Sequence, residues 1–217
     1  MFDRFGRPAC VVLACGVMVL ALGAGTALAK PVKSPTLVVN GKAEAGPAAA
    51  DSGQVFAPQG WTTTGEFTAI RYGASGGFPG AAVAKKIKGG KAFFAGGNEE
   101  ASTASQTRAV PASWLARVQG GGVQAVLSAY LGGYESQEDN AKVVVTFLGG
   151  DGAVLGTAQV GPVTAADRAG VTRLVLRTAT VAVPAQTVNA TIVVTSTRDE
   201  GQYNDGYADN VSLVLRK

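Results

Sequence analysis

The chain has 217 residues, a net charge of +4, two cysteines and no histidine. The missing imidazole excludes Ser-His-Asp and Cys-His nucleophilic systems and every zinc site that needs histidine. Only 16% of the residues are charged and 7% are aromatic, which is too few for the basic face with aromatic platforms that nucleic-acid binding requires, so we expect no nucleic-acid partner.

The first 29 residues have the order of a secretory signal. Arg4 and Arg7 precede an apolar run over 9–22, and small residues lead to an A-x-A exit at Ala29. We predict that residues 1–29 are removed, which makes the protein secreted or associated with the cell envelope, with no membrane contact after cleavage. Both cysteines leave with this segment, so no disulfide is expected. The alternatives are an uncleaved anchor, since 11–29 is almost long enough to span a bilayer, and a lipoprotein acylated at Cys15.

The rest of the chain is predicted to be a short exposed leader, 30–35, followed by one domain, 36–217. Apolar and β-branched runs recur between clusters of Gly, Asn, Asp and Pro, as short strands do. The predicted strands are 36–40, 66–72, 91–95, 105–110, 124–131, 142–148, 154–160, 172–181, 188–197 and 208–215. Helical signals are limited to a turn or two over 111–118 and 163–169. Many short strands without a βα rhythm indicate an all-β fold, an antiparallel β-sandwich.

Motifs at both ends of this domain carry a resemblance. L-V-V-N-G-K-A-E-A-G occupies 37–46, and Y-N-D-G-Y-A-D-N-V-S-L-V-L occupies 203–215. With the middle segment 127–148, they resemble the galactose-binding-domain-like jelly rolls of secreted bacterial proteins, the fold of many carbohydrate-binding modules. The resemblance covers most of 36–216 and implies a jelly roll whose first and last strands are neighbours.

The resemblance also implies a structural calcium ion. Its ligands would be the carboxylates of Glu44 and Asp209, with backbone carbonyls near Asn40 or Lys42 completing the shell. Ca²⁺ suits such a place because it accepts six to eight oxygen ligands in irregular geometry. The sequence departs from the family pattern at Ala43, where phenylalanine is usual. The alternative is that Glu44 and Asp209 are ordinary turn or cap residues.

Two polar loops, over 132–140 and 198–207, combine the groups that hold sugars. Aromatic faces meet the apolar patches of a sugar ring, and planar amide, carboxylate or guanidinium groups make paired hydrogen bonds to its hydroxyls. The predicted ligand-binding residues are Tyr134, Gln137, Asp139, Arg198, Tyr203, Asn204, Asp205 and Tyr207. The alternative is a hydrogen-bonded network that only holds the ends of the sandwich together.

A basic cluster and two tryptophans complete the candidate residues. Lys85, Lys86, Lys88 and Lys91 are interpreted as a solvated loop or a charged edge strand, with contact to an anionic polymer as the alternative. The two tryptophans are expected in the core, with Trp61 the more exposed.

The sequence therefore favours a secreted, non-catalytic module that binds a glycan through its polar loops and carries a structural calcium ion. A cell-envelope structural or interaction protein without a sugar ligand is the first alternative. The second is a small polysaccharide hydrolase or lyase using acids of the two loops, although no E-x-D-x-x-E or E-x-D-x-E strand motif supports it.

Overall fold

The structure is a computed structural model that describes Met1 and residues 32–217. The predicted signal peptide, 1–29, lies outside the described residues except for Met1, as do the first two residues of the predicted leader. The strands are β1 (Ala49–Asp51), β2 (Thr62–Thr64), β3 (Thr68–Ser75), β4 (Ala92–Ala95), β5 (Ala101–Ala109), β6 (Gln124–Gly133), β7 (Asn140–Leu148), β8 (Val154–Val160), β9 (Arg173–Ala182), β10 (Asn189–Thr197) and β11 (Tyr207–Arg216). The helices are α1 (Ala81–Ile87), α2 (Ala112–Gln119) and α3 (Ala165–Arg168).

These strands form two sheets. One has the order β1-β3-β4-β11-β6-β9 and the other the order β2-β5-β10-β7-β8. Within the described residues every strand pair is antiparallel except β1 with β3. The predicted all-β fold, an antiparallel jelly-roll sandwich, is confirmed.

Strict alternation in the long strands builds the core. In β10, Ala190, Ile192 and Val194 are buried, while the residues between them are partly exposed. Such inward-facing residues from both sheets make the main core cluster. A second cluster includes Ile70, Phe93 and Tyr207, with Ile87 of α1 packed among them. Two residues of the second polar loop contact this cluster: Tyr207 is part of it and Tyr203 packs against it.

The two ends of the described chain lie side by side. The Ser34 and Leu37 amides donate to the carbonyls of Leu215 (2.9 Å) and Leu213 (2.8 Å), and Val211 N donates to Gly41 O (2.8 Å). The expected proximity of first and last segments is therefore present, but the predicted strand 36–40 is wrong. Pro35 has no amide to donate, and the chain turns at Asn40, where φ is 48°, so no regular ladder forms.

The basic segment also differs from its prediction as a loop or edge strand. It contains α1, with Lys85 and Lys86 in its last turn and Lys88 ending it in the left-handed region (φ 58°). Alanines favour the helix, and Ala84 and Ile87, three residues apart, bury one face of it.

Both tryptophans are in the core as expected, with Trp61 slightly the more exposed, at 8% against 4% for Trp114. Trp61 and Trp114 are both buried. Trp61 packs edge-on against Phe94, with ring centroids 5.6 Å apart, and its indole N–H donates to Asn40 O (3.2 Å). In the part of the chain that the structure describes, no helix is long and apolar enough to cross a membrane.

Candidate ligand and metal sites

Asp139 joins the two polar loops. It is fully buried, and its Oδ1 accepts hydrogen bonds from the backbone N–H groups of Asp199 (2.7 Å) and Glu200 (2.9 Å). Its Oδ2 accepts from the backbone N–H of Asp205 (2.8 Å). Three donors on one carboxylate fix the second loop against the start of β7, so the two loops form one surface rather than two.

Arg168 was not among the predicted site residues, but its side chain holds the first polar loop in place. Its side chain is fully buried, and its guanidinium donates to the carbonyls of Glu135 (2.7 Å) and Gln137 (2.5 Å). Burial lowers the pKa of Arg168, and the charge of Glu138 is the largest effect opposing this shift. A capping box between Thr164 and Asp167 begins α3. The T-x-x-D pattern at 164–167 predicts a helix start, and Arg168, the next residue, belongs to the same short helix.

Several predicted ligand-binding residues have structural roles. Asn204 is fully buried, with its amide donating to Glu99 O (3.1 Å) and its Oδ1 accepting from Gly206 N (3.1 Å). Tyr207 is also fully buried, and its hydroxyl donates to Asp205 Oδ1. Arg198 donates to Asn98 O (2.9 Å) and braces the second loop. In this conformation Asp139, Asn204 and Tyr207 present no surface to a ligand.

Tyr134, Gln137, Tyr203 and Asp205 remain partly exposed. The charge of Glu135 is the main cause that raises the pKa of Tyr134, whereas burial and then the charge of Asp205 raise the pKa of Tyr203. Burial raises the pKa of Asp205 itself to about 6, an effect that the Tyr207 hydrogen bond and then the charge of Arg168 oppose. We call Tyr134, Gln137, Tyr203 and Asp205 the loop patch.

A third loop closes against the loop patch. Gly77 has φ +88°, and a Cβ there would lie 2.6 Å from the Tyr134 ring, so glycine is what allows this approach. Phe78 next to it packs edge-on against Tyr203, with ring centroids 5.1 Å apart. The buried Gln137 Oε1 and Tyr203 hydroxyl have no hydrogen-bond partner among the described residues. The loop patch therefore has two aromatic rings placed by packing and two buried polar atoms that the described residues leave without a hydrogen bond.

Glu44 and Asp209, the predicted calcium ligands, face one pair of glycines. A Cβ on Gly89 would lie 2.3 Å from Asp209 Oδ2, and one on Gly90 would lie 2.5 Å from Glu44 Oε1. Asp209 is buried and accepts from the Tyr72 hydroxyl (2.6 Å), whereas Glu44 is exposed and accepts from the backbone N–H groups of 91 (2.6 Å) and 92 (2.9 Å). The two carboxylates are thus brought to one turn.

The electrostatics of this turn suit a cation. Burial raises the pKa of Asp209 to about 7, and the charge of Glu44 adds to that rise. The bonds from Tyr72 and Asn210 and the charge of Lys42 oppose the rise. Lys42 places its ammonium on Lys88 O (3.1 Å). A bound Ca²⁺ would compensate the two negative charges directly, and the lack of side chains on Gly89 and Gly90 lets both carboxylates approach this turn, so the donor chemistry fits a hard cation.

The remaining ligands of such a cation would be carbonyls. Among residues 32–217, no three acidic or cysteine side chains come together in a metal-binding group. Asn40 O already accepts from Ala43 N (3.2 Å) and from the Trp61 indole (3.2 Å), and its side chain caps the turn at Ala45. Both predicted contributors, Asn40 and Lys42, line a cavity of about 420 Å³ together with Glu44.

Comparison with known proteins gives similarity of structure only. No protein-family model matches the sequence, and no curated protein matches it. Solved structures do. A family 16 carbohydrate-binding module has 18% identity and a TM-score of 0.49, over 82% of this chain and 98% of that one. TmCBM61, solved with β-1,4-galactotriose, has 15% identity and a TM-score of 0.46, over 83% and 98%.

The enzymatically active domain of the bacteriophage CBA120 tailspike protein 4 is also similar. It has 14% identity and a TM-score of 0.45, over 82% of this chain. This chain spans only 21% of that tailspike chain. At such identities and TM-scores, none of the three structures transfers a ligand or a site to this chain.

Proposed function

We propose that the protein is a secreted, non-catalytic module that binds a glycan at the loop patch, with a structural Ca²⁺ between Glu44 and Asp209. The single observation that carries the proposal is the joining of both polar loops by Asp139 into one surface with fixed aromatic rings. A site that is already ordered loses little conformational entropy when it binds, which matters for a flexible, hydrated ligand such as a sugar.

The roles within the loop patch follow from exposure. Tyr134 supplies an aromatic surface beside Gly77, and the partly exposed ring of Tyr203 supplies a second one. The Gln137 NH₂ group donates hydrogen bonds to sugar hydroxyls, and the Asp205 carboxylate accepts hydrogen bonds from them. Asp139, Asn204, Tyr207 and Arg198 hold these groups in place, so their contribution to binding is indirect.

Affinity electrophoresis through gels containing neutral polysaccharides, such as galactan, xylan and β-glucan, tests the binding. We expect retardation by at least one polymer and a loss of at least tenfold in affinity for Tyr134→Ala. Thr157→Ala, at an exposed position on β8 outside the loop patch, is the control and should bind like wild type. Binding that is absent for all polymers, or unchanged in Tyr134→Ala, would contradict the proposal. Release of reducing ends from the polymers would instead indicate a hydrolase or lyase.

Thermal unfolding tests the calcium ion separately. We expect EDTA to lower the melting temperature and excess CaCl₂ to restore it, because a ligand that binds only the folded state stabilises it by mass action. Asp209→Asn should remove the calcium response while leaving the protein folded. A melting temperature that is the same in EDTA and CaCl₂ would exclude a stabilising calcium site.

A further inference from the structure

A second concave surface, separate from the loop patch, lies between α1 and the adjoining ends of β3 and β4. This cavity has a volume of about 630 Å³ and is lined by Arg71, Tyr72, Lys85, Lys88 and Lys91, with small residues between them. Its size lies within the range of small-molecule sites. We call it the basic cavity.

The four cationic side chains reach the basic cavity from different parts of the fold. Arg71 is on β3, opposite Ala92 of β4, and Lys91 directly precedes β4. Lys85 is in the last turn of α1, and Lys88 is its C-cap. Lysines at the end of a helix are common because they interact favourably with the helix dipole. That effect does not explain Arg71, which comes from a strand and faces the same space.

Among residues 32–217, none of the four cations of the basic cavity forms an ion pair. The described residues form one ion pair, Arg177 with Asp167, which involves none of the four cations. Two acids lie close to the basic cavity, and within residues 32–217 neither forms an ion pair with the four cations. Glu44 accepts from two backbone N–H groups, and Asp209 is buried against the Tyr72 hydroxyl. Four like charges around one concavity repel each other and focus a positive potential there, which an anionic ligand would relieve.

The shape of the basic cavity favours a ring-shaped ligand that carries an anionic group. Two contacts hold Tyr72 in place. Its hydroxyl donates to Asp209 (2.6 Å), and its ring packs on Phe93 with centroids 4.8 Å apart. A fixed tyrosine can contact a sugar ring. Arg71 can pair with a carboxylate or sulfate through two parallel hydrogen bonds, and the lysines act as point charges around it.

We propose that the basic cavity binds the anionic groups of an acidic saccharide chain. The required chemistry is a carboxylate or sulfate ester on a sugar ring that lies against Tyr72. Because the basic cavity and the loop patch are built from different residues, a chain could bind at either place independently. The inference does not depend on the loop patch binding a glycan.

Affinity electrophoresis with three probes tests the proposal: polygalacturonate for carboxylates, dextran sulfate for sulfate esters and dextran as the neutral control. We expect retardation by at least one of the two anionic probes and none by dextran. The double variant Lys85→Ala/Lys88→Ala should weaken this binding at least tenfold. Arg108→Ala/Lys142→Ala removes the same net charge from the other sheet and should change it less than twofold.

Three results would overturn the proposal. They are no retardation by either anionic probe, equal weakening in the two double variants, or loss of the retardation in Tyr134→Ala, which would move the anion site to the loop patch. Unchanged melting temperatures ensure that both double variants are folded. If Lys85→Ala/Lys88→Ala is unstable, Arg71→Gln replaces it as the decisive variant, and we expect the same tenfold weakening of binding.

Discussion

Replacing Asp139 tests whether one buried carboxylate holds the polar loops together. In Asp139→Ala three backbone donors, at 2.7, 2.9 and 2.8 Å, lose their acceptor in a site without solvent. A hydrogen bond to a charged group contributes roughly 1.5 kcal/mol or more, so the loss of three should reach about 4.5 kcal/mol in the free energy of unfolding. This is a large fraction of the roughly 5–15 kcal/mol of a typical domain.

The assay is urea unfolding monitored by tryptophan fluorescence. Both tryptophans are buried, so their emission changes when unfolding exposes them to water. Asp139→Asn keeps the shape but turns its NH₂ towards one of the donors, so we expect an intermediate loss of about 2 kcal/mol. Asp151→Ala is the control, because that exposed carboxylate bonds the backbone N–H of Ala153 in a turn and should contribute less than about 1 kcal/mol. A loss below about 1 kcal/mol in Asp139→Ala would refute the assigned role.

Two further predictions concern the turn between the calcium-ligand candidates. The pKa of Asp209 is about 7 in the folded state and 3.8 for an unperturbed aspartate, which represents the unfolded state. The stability that this group contributes is therefore complete below about pH 4 and is lost as the pH rises towards 7. Relative to wild type in metal-free buffer, Asp209→Asn should therefore gain up to about 1.4 kcal/mol for each pH unit in that window, measured by urea unfolding, and parallel pH profiles would contradict this. Gly89→Ala puts a Cβ 2.3 Å from Asp209 Oδ2 and should lose about 2 kcal/mol. Gly150→Ala, which meets open space, should melt within a degree or two of wild type, and equal melting of the two variants would argue against a crowded cradle.

The long strands were predictable because their residues alternate between core and solvent. The prediction for β8 has the same bounds as the structure, and the prediction for β9, 172–181, differs from the observed strand by one residue at each end. The turn over 149–152 joins β7 and β8 as its glycines and aspartate indicate.

The short elements were not predictable, because tertiary contacts decide them. β1 and β2 have three residues each, too few to show a period. The helix α1 was not predicted because its lysines are typical of a solvated segment. Only the spacing of Ala84 and Ile87 indicates a buried helix face. In the candidate site, composition alone does not separate a buried carboxylate from an exposed one. Asp139 and Asp205 belong to similar polar loops, but only the distance to three backbone donors shows that the first is a structural residue.

The adjacent ends of the described chain have a mechanical consequence. Val32 and Lys217 exchange backbone hydrogen bonds, N to O at 2.8 Å and 3.0 Å, and Lys33 faces Arg216 as in an antiparallel pair. Tethers attached before residue 32 and after residue 217 would leave from the same point. Tension between them would load these bonds one after another, as in a zipper, so this corner should yield at low force while the rest of the sandwich stays intact.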